Sequence, residues 1–209
     1  MKKSKKILIF ALCAILLIAG SVMGTLAWLT SNATVTNTFT VGKVAITMDE
    51  TNVDGKDANG NDNSSEARDV ANTYKLIPGK TLVKDPKITV SSDSEACYLY
   101  VKIENGLTGI EDTTNTITAQ LTANGWTALS GVDNVYYYNG GQATATVTDG
   151  AVSADAVAVV FSEFRISGSA DEAQLNNLAS ATIKVTAYAV QAEGLDTPDA
   201  AWTAAAFAQ

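Results

Sequence analysis

The stretch Cys97-Tyr98-Leu99-Tyr100-Val101-Lys102-Ile103 decides the fold class of this chain. Its apolar side chains recur at every second residue, which is the period of a β-strand and not of a helix. Valine, isoleucine and tyrosine suit a pleated surface. The pattern predicts a half-buried strand, in which Cys97 is a buried and inert thiol in phase with Leu99 and Val101.

Similar runs predict further strands on both sides of this one. They are residues 44–48, 74–77, 87–90, 117–121, 135–138, 143–147, 157–166 and 181–191. Turn sequences separate the runs, and Asn139-Gly140-Gly141 is a strong hairpin signal because Asn and Gly tolerate a positive φ. Strands at this spacing predict an all-β fold, an antiparallel jelly-roll-like β-sandwich that forms a single domain over residues 42–209.

One or two short helices are predicted to interrupt the strands. Residues 169–179 begin with Ser169 as N-cap and carry apolar side chains at i, i+3 spacing. Thr197-Pro198-Asp199 caps a second helix, with Pro at its first position. We expect Trp202 and Phe207 to dock this second helix on the sheet.

The first residues have the layout of a secretory signal peptide. Four lysines among the first six residues precede an apolar run over residues 7–22 and a stretch of small residues over 24–27. Cleavage between Ala27 and Trp28 would leave a mature chain of residues 28–209 that is secreted to the extracellular matrix or the cell surface. An uncleaved membrane anchor is the alternative, because the apolar run reaches spanning length if it continues to Leu29.

Charge and composition exclude several classes of function. The chain contains no His, so a Ser-His-Asp triad, a Cys-His pair and an HExxH zinc helix are all impossible from this chain alone. Residues 1–27 hold four lysines and no acids, so their removal changes the net charge from −8 to −12. Such an acidic protein repels nucleic acid. We therefore predict no enzyme, no cofactor and no nucleic-acid partner, and membrane contact only through an uncleaved signal.

Residues 51–68 form a flexible acidic loop that invites a calcium interpretation. Asp54, Asp57, Asp62 and Glu66 lie there among Gly and Asn. The EF-hand pattern fails, because counting from Asp57 places Asp62 where Gly is required. A solvated loop is the simpler interpretation, and we predict no metal site.

Four segments together carry a family resemblance. They are Gly24-Thr25-Leu26-Ala27-Trp28-Leu29-Thr30, Asn37-Thr38-Phe39-Thr40-Val41-Gly42-Lys43-Val44, Tyr74-Lys75-Leu76-Ile77-Pro78-Gly79-Lys80 and Lys84-Asp85-Pro86. In this order they resemble the TasA/camelysin family of exported Gram-positive proteins. The resemblance implies processing by a dedicated signal peptidase, a jelly-roll fold and, as in several members, a role as a biofilm-matrix fibre subunit.

The segment that follows the predicted cleavage site has the pattern of a donor strand. Its apolar side chains lie at odd positions, and every even position from Thr30 to Thr40 is Thr or Asn. The apolar candidates are Leu29, Ala33, Val35, Phe39 and Val41. No Pro, Gly or charge interrupts residues 28–41, so this segment could pair within its own sheet or complete the sheet of the next subunit.

The pattern of this segment and the family resemblance together favour head-to-tail strand donation. A donated strand need not close a ring, so repeated donation generates filaments. The partners would be further copies or related fibre subunits. A monomeric cell-surface adhesin or binding module is the alternative. A camelysin-like zinc endopeptidase is disfavoured, because catalytic zinc normally takes imidazole ligands. Paired carboxylates could support a glycosidase, but no spacing singles out a pair.

Overall fold

The computed structural model describes residues 3–28, 42–56, 68–140 and 147–207. Its helices are α1 (Lys3–Trp28), α2 (Ile117–Ala123), α3 (Glu172–Asn177) and α4 (Pro198–Ala205). Its strands are β1 (Ile46–Asp49), β2 (Thr81–Val83), β3 (Lys87–Val90), β4 (Cys97–Asn105), β5 (Trp126–Ala128), β6 (Val135–Tyr138), β7 (Val147–Thr148), β8 (Ala151–Val152), β9 (Val157–Val159), β10 (Glu163–Arg165) and β11 (Ile183–Gln191). The chain divides into two units, Met1–Thr40 and Val41–Gln209.

Helix α1 is the described part of the first unit. From Ile7 to Leu17 its large apolar side chains are exposed on every side of the helix. The predicted cleavage site, Ala27 and Trp28, lies at the C-terminal end of this helix. Within the described part of the chain, no helix has the length and apolar character needed to cross a membrane.

The second unit is built from antiparallel sheets around β4. One sheet has the order β1-β3-β9, and β2 pairs with β10 in a two-stranded sheet. In the largest sheet β11 runs along the whole of β4, while β6 and β8 share the other edge of β4. Every strand pair is antiparallel. The prediction of a strand-rich antiparallel fold is thus confirmed.

Strand β4 is buried on both faces, so the prediction of a half-buried strand is wrong. Its odd-numbered side chains, including Cys97, enter the main core with Trp126 and Phe164. Its even-numbered Tyr98 and Tyr100 enter a second core under α4. In the second core the Tyr100 ring packs with Trp202 of this helix, and the Tyr100 hydroxyl donates to the Pro198 carbonyl at 2.7 Å.

Helix α4 forms where the sequence predicts it. Thr197 caps it, and Pro198 occupies its first turn. The indole of Trp202 lies 5.1 Å from the ring of Tyr100 and 5.0 Å from that of Phe207, measured between centroids. The Phe207 ring also lies 4.7 Å from that of Tyr188 in β11, so both predicted docking residues hold this helix on the sheet, as expected.

Residues 117–121 were predicted as a strand and form helix α2 instead. The Thr116 side chain accepts a hydrogen bond from the Ala119 N–H at 3.1 Å and so caps the helix. Ile117 and Leu121, four residues apart, both enter the core. Local capping and a buried i, i+4 pair outweigh the strand preference of Ile and Thr here.

Three other predictions need correction. Residues 74–77 are not a strand, although the turn predicted after them forms at Pro78-Gly79, where Gly79 has φ +72°. The run 157–166 divides into two strands, β9 and β10, that pair with different partners. The N-cap of α3 is Asp171 and not Ser169, because Asp171 and Gln174 form a reciprocal capping box. Of the hairpin predicted at 139–141, residues 139 and 140 are described and Gly140 has φ +87°, whereas residue 141 and residues 143–146 of the predicted strand lie outside the described residues.

Candidate functional site

Strand β11 forms an edge of the largest sheet. It is nine residues long and pairs with β4 from Ile183↔Asn105 to Gln191↔Cys97. Among the hydrogen bonds of the described residues, none reaches the outer side of β11. The strand contains neither Pro nor Gly, and its single charge is Lys184 near one end. A long edge of this kind is a template for pairing with another strand.

The hydrogen-bond register shows which residues present their backbone at this edge. The Gly106 N–H donates to the Thr182 carbonyl, and the Ala192 N–H donates to the Ala96 carbonyl, both at 2.9 Å. In an antiparallel pair the bonded positions alternate, so the even-numbered residues of β11 bond to β4. The odd-numbered residues therefore point their N–H and C=O groups outward: Ile183, Val185, Ala187, Ala189 and Gln191.

The same odd-numbered residues direct their side chains toward the main core. Ile183, Val185, Ala187 and Ala189 pack against it while remaining only partly buried. An added strand would therefore extend the inner face of the sheet with its own inward side chains. It would also bury these four, which are left half-covered by the folded unit.

A groove of about 640 Å³ adjoins the N-terminal end of this edge. Its walls are the end of β1, residues 69–76 and the first residues of β11. Its floor is mainly apolar and includes Leu82, Leu107 and Phe164. The groove thus combines apolar and polar side chains beside a strand edge on which the described residues place no partner, and its apolar part suits the apolar face of an amphipathic strand.

Polar side chains form a connected network on one wall of the groove. Glu50 is 5% exposed and follows β1 directly. Its Oε2 accepts from Lys84 Nζ at 2.7 Å, and its Oε1 accepts from Asn72 Nδ2 at 3.0 Å. Two backbone hydrogen bonds of 2.7 Å join Glu50 to Asp69 and hold the segment that carries Asn72 against β1.

Arg68 links the end of β1 to Asp85. Its guanidinium bonds to Asp49 and, at 2.9 Å, to Asp85 Oδ2. Burial alone would raise the pKa of the Asp85 carboxyl, but hydrogen bonds from the Thr51 N–H and from Arg68 outweigh it and hold this pKa below its usual range. Asp85 therefore stays ionised and fixes the end of β1.

The structure places few of the predicted site residues. The donor-strand candidates Leu29, Ala33, Val35, Phe39 and Val41 lie outside the described residues, as does most of the acidic loop, residues 57–67. Within the described ranges, no group of three acidic or Cys side chains is arranged to hold a metal ion.

Cys97 lies in the core as expected. It is fully buried, and burial raises the pKa of its thiol to about 11. A thiol with so high a pKa is almost entirely protonated at neutral pH, which makes it a poor nucleophile. This agrees with the prediction of an inert thiol.

Sequence reasoning did not find the two features that define this site. The free edge of β11 depends on which strands pair, and period-2 alternation in residues 181–191 carries no information about that. The contacts of Glu50 with Asn72 and Lys84 join residues 22 and 34 positions apart. The available local signal was a Glu close behind a predicted strand, and this arrangement is too common to indicate a site.

Comparison with known proteins adds no family assignment. No family model matches the chain, and neither a curated protein nor a solved structure matches it. The function of the chain must therefore be argued from its own residues.

Proposed function

We propose that this chain is an exported structural protein, a subunit of an extracellular fibre that assembles head-to-tail by N-terminal strand donation. In this proposal it is a TasA/camelysin-like protein with jelly-roll connectivity, and a signal peptidase removes residues 1–27. The observation that carries the proposal is the nine-residue edge of β11, on which the described residues place no strand, beside a groove with an apolar part. The partner is a second copy of this chain or a related subunit.

The length of the N-terminal segment suits this edge. Residues 29–41 would span about 43 Å when extended, at about 3.3 Å per residue, whereas the nine residues of β11 span about 30 Å. The segment can therefore cover the whole edge and still leave residues to connect two subunits. A shorter segment would leave part of the edge unpaired.

The side-chain pattern of the segment also suits the edge. Its odd positions are mostly apolar and its even positions are Thr or Asn. The inward face of β11 needs apolar neighbours, because Val185 and Ala187 are only partly covered. A donor strand placed with its apolar face inward would bury that face and expose its hydroxyl-rich face to water.

Cleavage would act as the switch for assembly. Before cleavage the segment is joined to a basic and apolar signal sequence that engages the export machinery. After cleavage the segment begins at Trp28 and is free to enter the groove of another copy. Because the donating and accepting surfaces differ, the contact repeats without closing and produces a filament.

Residues 28–41 join the folded unit next to β11 of the same chain, and this allows a competing arrangement. A Cβ added at Gly42 would lie 3.2 Å from Gln191 Oε1, so this residue lies beside the C-terminal end of β11. A chain whose segment paired with its own edge would remain monomeric and would correspond to the alternative surface module.

The test compares the mature chain, beginning at Trp28, with a chain that begins at Gly42. We expect filaments by negative-stain electron microscopy from the first and none from the second, with equal strand content by circular dichroism in both. Filaments from the chain that begins at Gly42 would contradict donation by residues 28–41. Monodisperse particles from both would contradict self-assembly and favour the monomeric module.

A further inference from the structure

Three side chains on the wall of the groove, Glu50, Asn72 and Lys84, form a connected group. Glu50 accepts hydrogen bonds from two nitrogens, Lys84 Nζ on one carboxylate oxygen and Asn72 Nδ2 on the other. The Lys84 and Glu50 side chains are 13% and 7% exposed. A primary amine, a carboxamide and a carboxylate that contacts both are thus held together, and the amine and the carboxylate are largely shielded from solvent.

We propose that Lys84 and Asn72 become joined by an intramolecular isopeptide bond, with Glu50 transferring the protons. The bond forms between Lys84 Nζ and Asn72 Cγ, and the bond between Asn72 Cγ and Nδ2 breaks. Two protons pass from Nζ through Glu50 to Nδ2, which leaves as ammonium. Glu50 is a carboxylate before and after, and neither an oxidant nor a reductant is required.

Glu50 is placed for both proton transfers. A carboxylate that contacts the amine can accept a proton from it, and this frees the nitrogen lone pair to attack the carbonyl carbon. The other oxygen of the same carboxylate contacts the leaving nitrogen at 3.0 Å and can return the proton there. One group therefore acts as base toward Lys84 and as acid toward Asn72.

The Asn72 carboxamide is oriented and polarised for attack. The Val53 N–H donates to Asn72 Oδ1 at 2.7 Å, where negative charge develops when the amine adds to the carbonyl. Asn72 Nδ2 also donates to the Thr51 carbonyl at 3.0 Å. These contacts fix which end of the amide faces Glu50, so the leaving nitrogen and the oxyanion each have a partner.

An aromatic ring lies beside the amine of Lys84. The aromatic ring of Tyr74 lies 5.9 Å from Lys84 Nζ. Burial, and then the charge of Glu50, raises the pKa of the Tyr74 hydroxyl. Tyr74 therefore stays protonated at neutral pH, which leaves the Glu50 carboxylate as the group that takes the proton of Lys84.

Peptide mapping of the full chain, purified after expression, tests the proposal. Trypsin does not cleave after a lysine whose amine is in an amide. We therefore expect one branched peptide that joins residues 69–75 to residues 81–87, lighter than the sum of the two by the mass of one ammonia, about 17 Da. Lys184 is the internal control, because its exposed ion pair with Glu104 should leave normal cleavage.

Three variants separate the bond from other causes of mass loss. We expect Glu50→Gln and Lys84→Arg to yield linear peptides, and Lys84→Arg keeps a cation beside Glu50 if the first variant fails to fold. In Asn72→Asp the leaving group becomes water, so we expect the branched peptide with a loss of about 18 Da. Succinimide formation at Asn72 would also remove ammonia, but it would persist in Lys84→Arg and would leave no branch. Linear peptides 69–75 and 81–84 from the wild-type chain would overturn the proposal.

Discussion

Replacing Ala187 with Pro should weaken assembly while the folded unit persists. Ala187 lies in the middle of β11, and its N–H points away from β4 toward the free edge. Proline removes that donor without breaking a bond to β4, and edge strands are where sheets tolerate proline. The residue before it, Thr186, is already in the extended conformation that proline requires of its predecessor.

The size of the effect follows from the register. Five residues of β11 present backbone groups outward, and Ala187 is the central one. Loss of one hydrogen bond costs about 1 kcal/mol, and the proline ring also stands where the incoming strand must approach. A loss of about 1 kcal/mol corresponds to a roughly fivefold higher critical concentration for filament growth, and we expect at least that.

Thr186→Pro provides the matched control one residue away. The Thr186 N–H points toward Lys102 of β4, so proline there breaks the sheet itself. Sedimentation measures the critical concentration, and thermal unfolding measures the stability of the subunit. We expect Ala187→Pro to raise the critical concentration with a small change in Tm, and Thr186→Pro to lower Tm strongly. Wild-type assembly by Ala187→Pro would refute the assignment of this edge as the acceptor.

Three further predictions concern the folded unit. Cys97, with a thiol pKa of about 11, should react with iodoacetamide far more slowly in the folded mature chain than in urea, and equal rates would contradict its burial. Asp85→Asn should lower the urea midpoint at neutral pH, because the pKa of Asp85 is lower in the folded chain than in the unfolded chain, where it is about 3.9. The ionised carboxylate therefore stabilises the fold above the unfolded pKa, and this stabilisation is lost as the pH falls through the folded pKa. The difference from wild type should vanish in acid, and a difference that persists there would exclude the charge of Asp85 as its source. Gln120→Ala should cost about 3 kcal/mol in chemical denaturation, since the side chain bonds to backbone groups of Ser162 and Glu163, whereas exposed Thr118→Ala should cost little.

Alternation of apolar and polar residues predicted strands correctly where the tertiary contacts also favoured a strand. Lys87–Val90 and Val135–Tyr138 form strands with the predicted bounds. The failure at 117–121 is informative, because Gln120 lies on the buried face and bonds to the loop that separates β9 from β10. A polar residue that serves a distant loop has no signature in a local pattern, so strand preference misled the prediction there.

The site depends on pairing, which the sequence does not specify locally. Residues 181–191 have the pattern of a strand whether they lie inside a sheet or at its edge. In this fold β6 and β8 share one side of β4, and β11 takes the other side alone. The sequence could therefore predict a donor segment from its own pattern, but the acceptor appears only when the whole sheet is assembled.

The two proposals meet on one wall of the groove. Residues 69–76 form that wall and are not part of a sheet, and within the described ranges the bridge between Glu50 and Asp69 is their one β-type backbone pairing. Segments with few backbone hydrogen bonds open easily, and an acceptor groove that must order its own wall on binding loses affinity. An amide between Asn72 and Lys84 would tie this wall to the end of β2. If both proposals hold, Lys84→Arg should raise the critical concentration for filament growth while the edge of β11 is unchanged. If the bond forms but assembly is unaffected, the bond stabilises the folded unit and the groove wall does not limit strand entry.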